Sequence, residues 1–173
     1  MSSLSSPVLR KQMSDAYKKA FTDALKEQLK EQTAESVTWM SNLHRELIIR
    51  LCGYTKRHDI QDEIAEANDP QIFKQLVENG KYNAEELSKF VNYVYSWLKR
   101  FCAPVRDADV ASSLEKLNKM LSDSSLLLYD VVAEVISETH AVMDKMDKDL
   151  DHAMVEQFRK AVEKGVVKVK HVG

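Results

Sequence analysis

Apolar residues recur every three or four positions along most of the chain, which is the spacing that gives an α-helix one buried face. The first such stripe covers residues 13–29 and the second covers residues 37–51. Shorter stripes follow at residues 60–64 and 72–77. Residues 166–172 alternate as a strand would, but no other segment offers a strand partner. The pattern therefore predicts helices throughout.

Residues that suit helix ends separate these stripes. Gly80 follows Asn79 directly after the fourth stripe, where a glycine can adopt the left-handed conformation that ends a helix. Side chains that accept a hydrogen bond from a free helix amide stand before four of the predicted helices: Ser6, Thr33, Asp69 and Asn83. These signals indicate several separate helices joined by short loops.

Two helices dominate the predicted fold. Residues 84–101 present large apolar side chains at helical spacing, and we expect them to form the central helix. After a shorter helix at residues 108–121, the last apolar stripe predicts a helix from about residue 124 to residue 164. Its spacing is close to a heptad from Met143 onward, which suits pairing with other helices.

Composition agrees with one all-α domain. The 173 residues include only four glycines and three prolines, and 25 basic residues nearly balance 27 acidic ones. We predict a single-domain bundle of about six or seven helices over residues 1–173, with a flexible segment at 1–6 and a disordered basic tail at 166–173. The serine-rich start is also compatible with a weak mitochondrial presequence.

The chain has no apolar stretch of about 20 residues and no secretory leader, so we expect a cytoplasmic protein without a membrane span. Cys52 and Cys102 are expected to be buried free thiols, although a disulfide between them stays open. The net charge of -2 creates no strong field toward nucleic acid. An aromatic and basic face nevertheless leaves a nucleic-acid-associated protein as the alternative: Tyr93, Tyr95, Trp97, Lys99 and Arg100, with Lys56 and Arg57.

Residues with catalytic potential do not combine into a recognisable site. Four of them share one helix face at spacings of four, three and four: His140, Asp144, Asp147 and Asp151. Lys145 and Lys148 are near enough to pair with these acids, so we expect a solvated face and no metal. The chain has no glycine-rich phosphate loop and no serine nucleophile elbow. We therefore expect no catalytic residues, no cofactor and no enzymatic activity.

The most distinctive segment is an elbow between two predicted helices, formed by Cys102, Ala103, Pro104, Val105, Arg106 and Asp107. Pro104 should end the preceding helix, and Asp107 can cap the next one. Arg106 can bind carboxylates in a bidentate manner, and the candidate partners are Asp59, Asp62, Glu63 and Glu66. An internal clamp is the simpler role, in which case Arg106→Ala should destabilise the fold. The other possible role is recognition of a ligand from outside the chain.

These six residues, followed by Asp109 and Val110, resemble the signature of the T-complex protein 11 family. Upstream segments at residues 62–64, 68–69 and 72–80 follow the family's order. The resemblance implies a helical, non-enzymatic scaffold for protein-protein interaction. The family includes testis-expressed members and is associated with sperm function and cyclic-AMP-dependent kinase signalling. It therefore implies a protein partner from a kinase pathway, leaves a homo-oligomer open, and transfers no catalytic residues.

Overall fold

The computed structural model describes residues 7–30 and 33–165. Their helices are α1 (Pro7–Lys30), α2 (Ala34–Cys52), α3 (His58–Ala67), α4 (Pro70–Glu78), α5 (Ala84–Phe101), a 3₁₀ turn (Pro104–Arg106), α6 (Asp107–Ser122) and α7 (Leu128–Glu163). This part of the chain contains no strand, so the predicted all-α fold and long last helix are confirmed. The segment 1–6 and the tail 166–173, predicted to be flexible and disordered, lie outside the described residues.

The predicted helix ends are largely confirmed. The side chains of Thr33, Asp69 and Asn83 accept hydrogen bonds from backbone amides of the first turns of α2, α4 and α5, at 3.1, 2.9 and 3.0 Å. Gly80 has a φ of 68° and ends α4 in the left-handed region. Local capping chemistry therefore sets the boundaries of three of the helices.

Helix α7 begins four residues later than predicted. The carboxylate of Asp123 accepts hydrogen bonds from the amide and hydroxyl of Ser125, at 3.0 and 2.5 Å. These bonds stabilise a turn that competes with helix formation. Leu127 is still extended, and regular helix starts at Leu128.

Helix α5 packs against α2, α6 and α7, whereas α2 packs against five other helices, so the structure does not single out α5 as the central helix. Leu98 and Tyr95 are fully buried, and the Tyr95 hydroxyl lies 2.9 Å from Oγ of Ser113 and 3.3 Å from Oγ1 of Thr139. The predicted aromatic and basic face is wrong at Tyr95 and Trp97, because Trp97 is only 6% exposed and Tyr95 is not exposed at all. Three neighbouring helices cover more of the circumference of α5 than one apolar stripe suggests.

Helices α1 and α7 are antiparallel. Thr22 donates to Ser137 at 2.8 Å, and Lys26 lies 2.8 Å from Glu134. One turn later along α1, Lys30 lies 3.7 Å from Asp130, earlier along α7. In this register, the part of α7 beyond Ser137 runs toward the N-terminal end of α1. None of the helices in the described ranges has the length and apolar content that crossing a membrane requires.

Candidate functional site

The elbow reverses the chain between α5 and α6. Cys102 and Ala103 are extended, as expected for residues near a proline, and helix α5 ends at Phe101. The amide of Arg106 donates to the carbonyl of Ala103 at 2.8 Å and closes the 3₁₀ turn. The predicted interruption by Pro104 is confirmed.

The turn points the guanidinium of Arg106 at α7. Nε and Nη2 donate to the two oxygens of Asp149 at 2.7 and 3.0 Å, and Nη1 donates to Asp109 at 2.9 Å. The hydrogen bond to Asp149 is the main reason that the pKa of Arg106 is raised. The bond from Arg106 likewise lowers the pKa of Asp109. The elbow is therefore bound to α7 by a bidentate ion pair.

The four acids of α3 predicted as partners of Arg106 are not its partners. Asp59 pairs instead with Arg57, at 2.6 Å. The same correction applies to Asp62, Glu63 and Glu66, because α3 packs against α2 whereas the elbow leads into α6, which packs against α7. Arg106 therefore meets a carboxylate that is 43 positions away in sequence. Both of its acids belong to this chain, as an internal clamp requires.

The other elbow residues have separate environments. Val105 is 73% exposed. Asp107 occupies the first turn of α6 but makes no cap bond, and its carboxylate instead accepts from the thiol of Cys102 at 3.3 Å. Burial raises the pKa of the Cys102 thiol, and the carboxylate of Asp107 raises it further. Cys102 and Cys52 are both free thiols, as predicted, although each is only half-buried.

A second arginine, Arg50 at the end of α2, binds side chains of α7. Nη2 of Arg50 donates to Asp144 at 2.7 Å and to Asp147 at 2.8 Å, and Nη1 lies 2.8 Å from Nδ1 of His140. Tyr54 donates to Asp147 at 2.6 Å and to the carbonyl of Met143 at 3.0 Å. The end of α2 is thus bound to two successive turns of α7.

The predicted solvated face of α7 is correct in part, because the side chains of Asp144 and Asp147 are 47% and 50% exposed, but the expected lysine partners are wrong. His140, Asp144 and Asp147 bind Arg50 and not Lys145 or Lys148. The spacing correctly places them on one face, and the end of α2 borders that face. The positive charge between His140, Asp144 and Asp147 is that of the Arg50 guanidinium.

The electrostatics of this cluster follow from burial and from the arginine. Burial lowers the pKa of His140, and the charge of Arg50 lowers it further, so the ring is neutral at pH 7. Burial opposes ionisation of Asp147, but the hydrogen bonds from Tyr54 and Arg50 lower its pKa overall. A neutral imidazole and two carboxylates around a cation make a structural clamp.

We call Arg50 and Arg106, with their partners on α7, the two-arginine clamp. Sequence reasoning missed Arg50, Tyr54 and Asp149. The signal for Arg50 was present, since a lone arginine in the last turn of α2 was matched by an acidic face on α7. No sequence pattern pointed to Asp149, because α7 contains several acidic residues and the sequence does not show which of them Arg106 contacts.

Beyond the clamp, α7 carries an exposed apolar surface that we call the distal α7 stripe. It consists of Leu150, Met154, Val155 and Phe158, which are 51%, 68%, 64% and 58% exposed. Exposed large apolar residues on the antiparallel helix α1 are Tyr17 at 74% and Phe21 at 40%. The near-heptad segment predicted to pair with other helices thus continues past the covered part of α7.

No curated protein and no solved structure matches this chain. The family model described as T-complex protein 11 matches residues 3–168, which is nearly the whole chain. The resemblance carried by the elbow and by the segments upstream of it is confirmed and extends well beyond them. The chain belongs to the T-complex protein 11 family.

Proposed function

We propose that this protein is a non-enzymatic helical scaffold that binds a protein partner through the distal α7 stripe. The observation that carries the proposal is the exposure of four large apolar side chains on one stretch of a helix whose preceding turns are held rigidly. Apolar surface of this kind in a folded protein is typical of an interaction site.

The arrangement of the stripe suits a partner helix. Leu150, Met154 and Phe158 follow one another at intervals of four, so they lie on one side of α7. Anchors at this spacing are what an amphipathic helix uses when it binds an apolar groove or another helix. We infer that the partner presents an apolar helical face.

The two-arginine clamp supports this role because it fixes the direction of α7. Asp149, the last clamped residue, immediately precedes Leu150. A helix whose direction is already fixed loses less conformational freedom on binding than a mobile one. Arg106, an internal clamp in this reading, therefore contributes to binding by presenting the stripe.

The identity of the partner is proposed from the family. Its association with cyclic-AMP-dependent kinase signalling makes a component of that pathway, in the cytoplasm, the first candidate. A second copy of the chain is the other protein that the stripe could pair with. Size-exclusion chromatography with light scattering distinguishes these two possibilities, because only pairing of two copies doubles the mass of the isolated protein.

The nucleic-acid alternative is less well supported. Trp97 is buried, and the guanidinium of Arg100 lies 4.8 Å from the centre of its ring, so this aromatic surface is already covered. Arg57 is paired with Asp59. Stacking of bases needs open aromatic faces beside free cations. A gel shift with single-stranded nucleic acid at low salt tests this alternative, and we expect no complex.

The test of the proposal is capture of partners by the full chain, compared between variants. Met154→Asp places a charge in the stripe at a position that is 68% exposed, so we expect normal folding and loss of the partner. Lys160→Glu is the matched control, because Lys160 is exposed and lies on another side of α7. Equal capture by wild type and Met154→Asp would refute the proposed surface.

A further inference from the structure

A cavity of about 270 Å³ opens between α2, α4 and α5, and its walls are largely apolar. Phe73, Tyr82 and Phe90 contribute aromatic rings, and Ile72, which also lines the cavity, is 57% exposed. Pockets that bind whole small molecules begin at about 300 Å³. A cavity just below this size suits apolar side chains that belong to a longer segment.

Carboxylates surround this cavity. Asp69 and Glu86 line it, and Glu63 precedes the lining residue Ala67 by four positions, so Glu63 lies on the same side of α3. Asp69 accepts a hydrogen bond from the amide of Gln71 through one oxygen, and a carboxylate can accept several more. The apolar cavity therefore has an acidic rim.

The positive charge at the rim does not balance these acids. The ammonium of Lys89, which lines the cavity, lies 3.5 Å from the carboxylate of Glu86 and 3.8 Å from that of Glu85, so one cation faces two anions. Burial raises the pKa of Tyr82 in the cavity wall, and the charge of Glu86 raises it further. Residues 58–90 contain eight acidic and three basic residues. This region is therefore negative, although the whole chain is nearly neutral.

One segment of the chain has the complementary chemistry. Among the segments outside the described ranges, residues 1–6 have no charged side chain, and residues 31–32 are a glutamate and a glutamine. Residues 166–173 contain four valines, Lys168, Lys170 and His171, and no acidic residue. Valines for an apolar cavity thus stand beside lysines for an acidic rim.

The segment 166–173 does not reach the cavity of its own chain. Ile136 of α7 lies next to the cavity, because it lines a gap together with His44 and Phe73, which also line the cavity. From Ile136 to Glu163, α7 rises about 40 Å at about 1.5 Å per residue. Eight fully extended residues span at most about 28 Å. The segment therefore reaches this cavity only in another copy of the chain.

We propose that the cavity between α2, α4 and α5 binds residues 166–173 of a second copy of this chain, with valines in the cavity and lysines beside the acidic rim. This contact joins two different surfaces, so it is heterologous and can link copies into a ring or a linear assembly. It is independent of the distal α7 stripe.

The first experiment titrates the isotopically labelled full chain with a synthetic peptide that copies residues 165–173, and follows the backbone amide signals by NMR at low salt. We expect shifts localised to residues 67–76 and 82–93, which form the cavity walls. High salt should weaken the binding, because it screens exposed charges. A control peptide that carries Lys168→Glu and Lys170→Glu should cause no shifts.

Variants of the rim test the role of its charges. Asp69→Asn combined with Glu86→Gln removes two charges and retains a side chain that can cap α4, so the variant should fold normally. We expect it to bind the peptide about threefold to tenfold more weakly. The matched control combines Glu35→Gln with Glu115→Gln, which removes two exposed acids that do not line the cavity and should leave binding unchanged.

Three results of this titration would overturn the proposal. The first is the absence of localised shifts at about 1 mM peptide. The second is shifts centred on the distal α7 stripe, because the segment would then bind a different surface. The third is equal binding of the charge-reversed peptide, because the acidic rim would then have no role.

The second experiment measures the mass of the full chain by light scattering at increasing concentrations. At low salt, we expect the mass to rise above that of one copy for wild type and for Met154→Asp, but not for the chain with Lys168→Glu and Lys170→Glu. The use of Met154→Asp keeps this result separate from that of the proposed function. A mass of one copy at concentrations about ten times the Kd of the peptide would overturn the second copy as the source. Association that is lost in Met154→Asp and kept in the lysine variant would overturn it as well.

Discussion

Acidification should destabilise this protein through His44, a residue with no role in the two-arginine clamp. Burial lowers the pKa of this ring from 6.5, the value of an unburied histidine, to about 4 in the folded state. The folded state therefore binds fewer protons than the unfolded state between these values. Stability is complete above the unfolded pKa and is lost as pH falls toward the folded pKa.

The magnitude follows from the two pKa values. Between about pH 7.5 and pH 5, a shift from 6.5 to about 4 reduces the free energy of unfolding by about 2 kcal/mol. The rings of Phe73 and Phe90 stack against the imidazole, and burial is the cause of its lowered pKa. The nearby carboxylate of Glu86 lies 3.5 Å from the ammonium of Lys89. His140 adds a loss of the same sign, because its pKa is also lowered.

The assay is urea unfolding, followed by circular dichroism, at both pH values. His44→Phe removes the titrating group while retaining an aromatic ring in the stack, so its loss of stability on acidification should be about 2 kcal/mol smaller than that of the wild type. His140→Asn is the control for the second histidine and should leave the His44 contribution intact. Identical pH dependence in wild type and His44→Phe would refute the assignment.

Four other changes should alter stability in the same urea assay or in thermal melts. Leu98→Ala should cost about 2–5 kcal/mol because it leaves a cavity in the core, and a loss below about 1 would contradict its central position. Tyr95→Phe should cost about 1–2 kcal/mol through two lost hydrogen bonds, and no loss would mean that they contribute nothing. Gly80→Ala should cost about 1 kcal/mol, since φ is 68° and the space around it is open; a neutral result would exclude the left-handed conformation. Arg106→Ala should lower the melting temperature more than Arg106→Lys, which keeps the charge without the bidentate geometry, and high salt should narrow the difference. An unchanged melting temperature for Arg106→Ala would place its role in recognition.

Much of the fold was predictable because its determinants are local. Asn83 and Asp69 cap helices through amides two or three residues away, and the apolar spacing of α5 specifies a buried face without reference to any neighbour. Pro104 likewise ends α5 through its own geometry. Signals that act within one helical turn can be read directly from the sequence. The all-α class and the family signature could be read from it as well.

The candidate site depended on contacts between distant segments. Arg106 has many acids within reach along the chain, and only the packing of α6 on α7 brings it to Asp149. Arg50 makes the partly exposed face that carries His140 and Asp144 into part of a clamp, because α2 ends beside it. The cavity beside His44 arises from three helices at once. The sequence by itself determined the helices and their ends, whose bonds are local. The tertiary structure decided which charges meet and which apolar residues stay exposed, since both depend on how the helices pack.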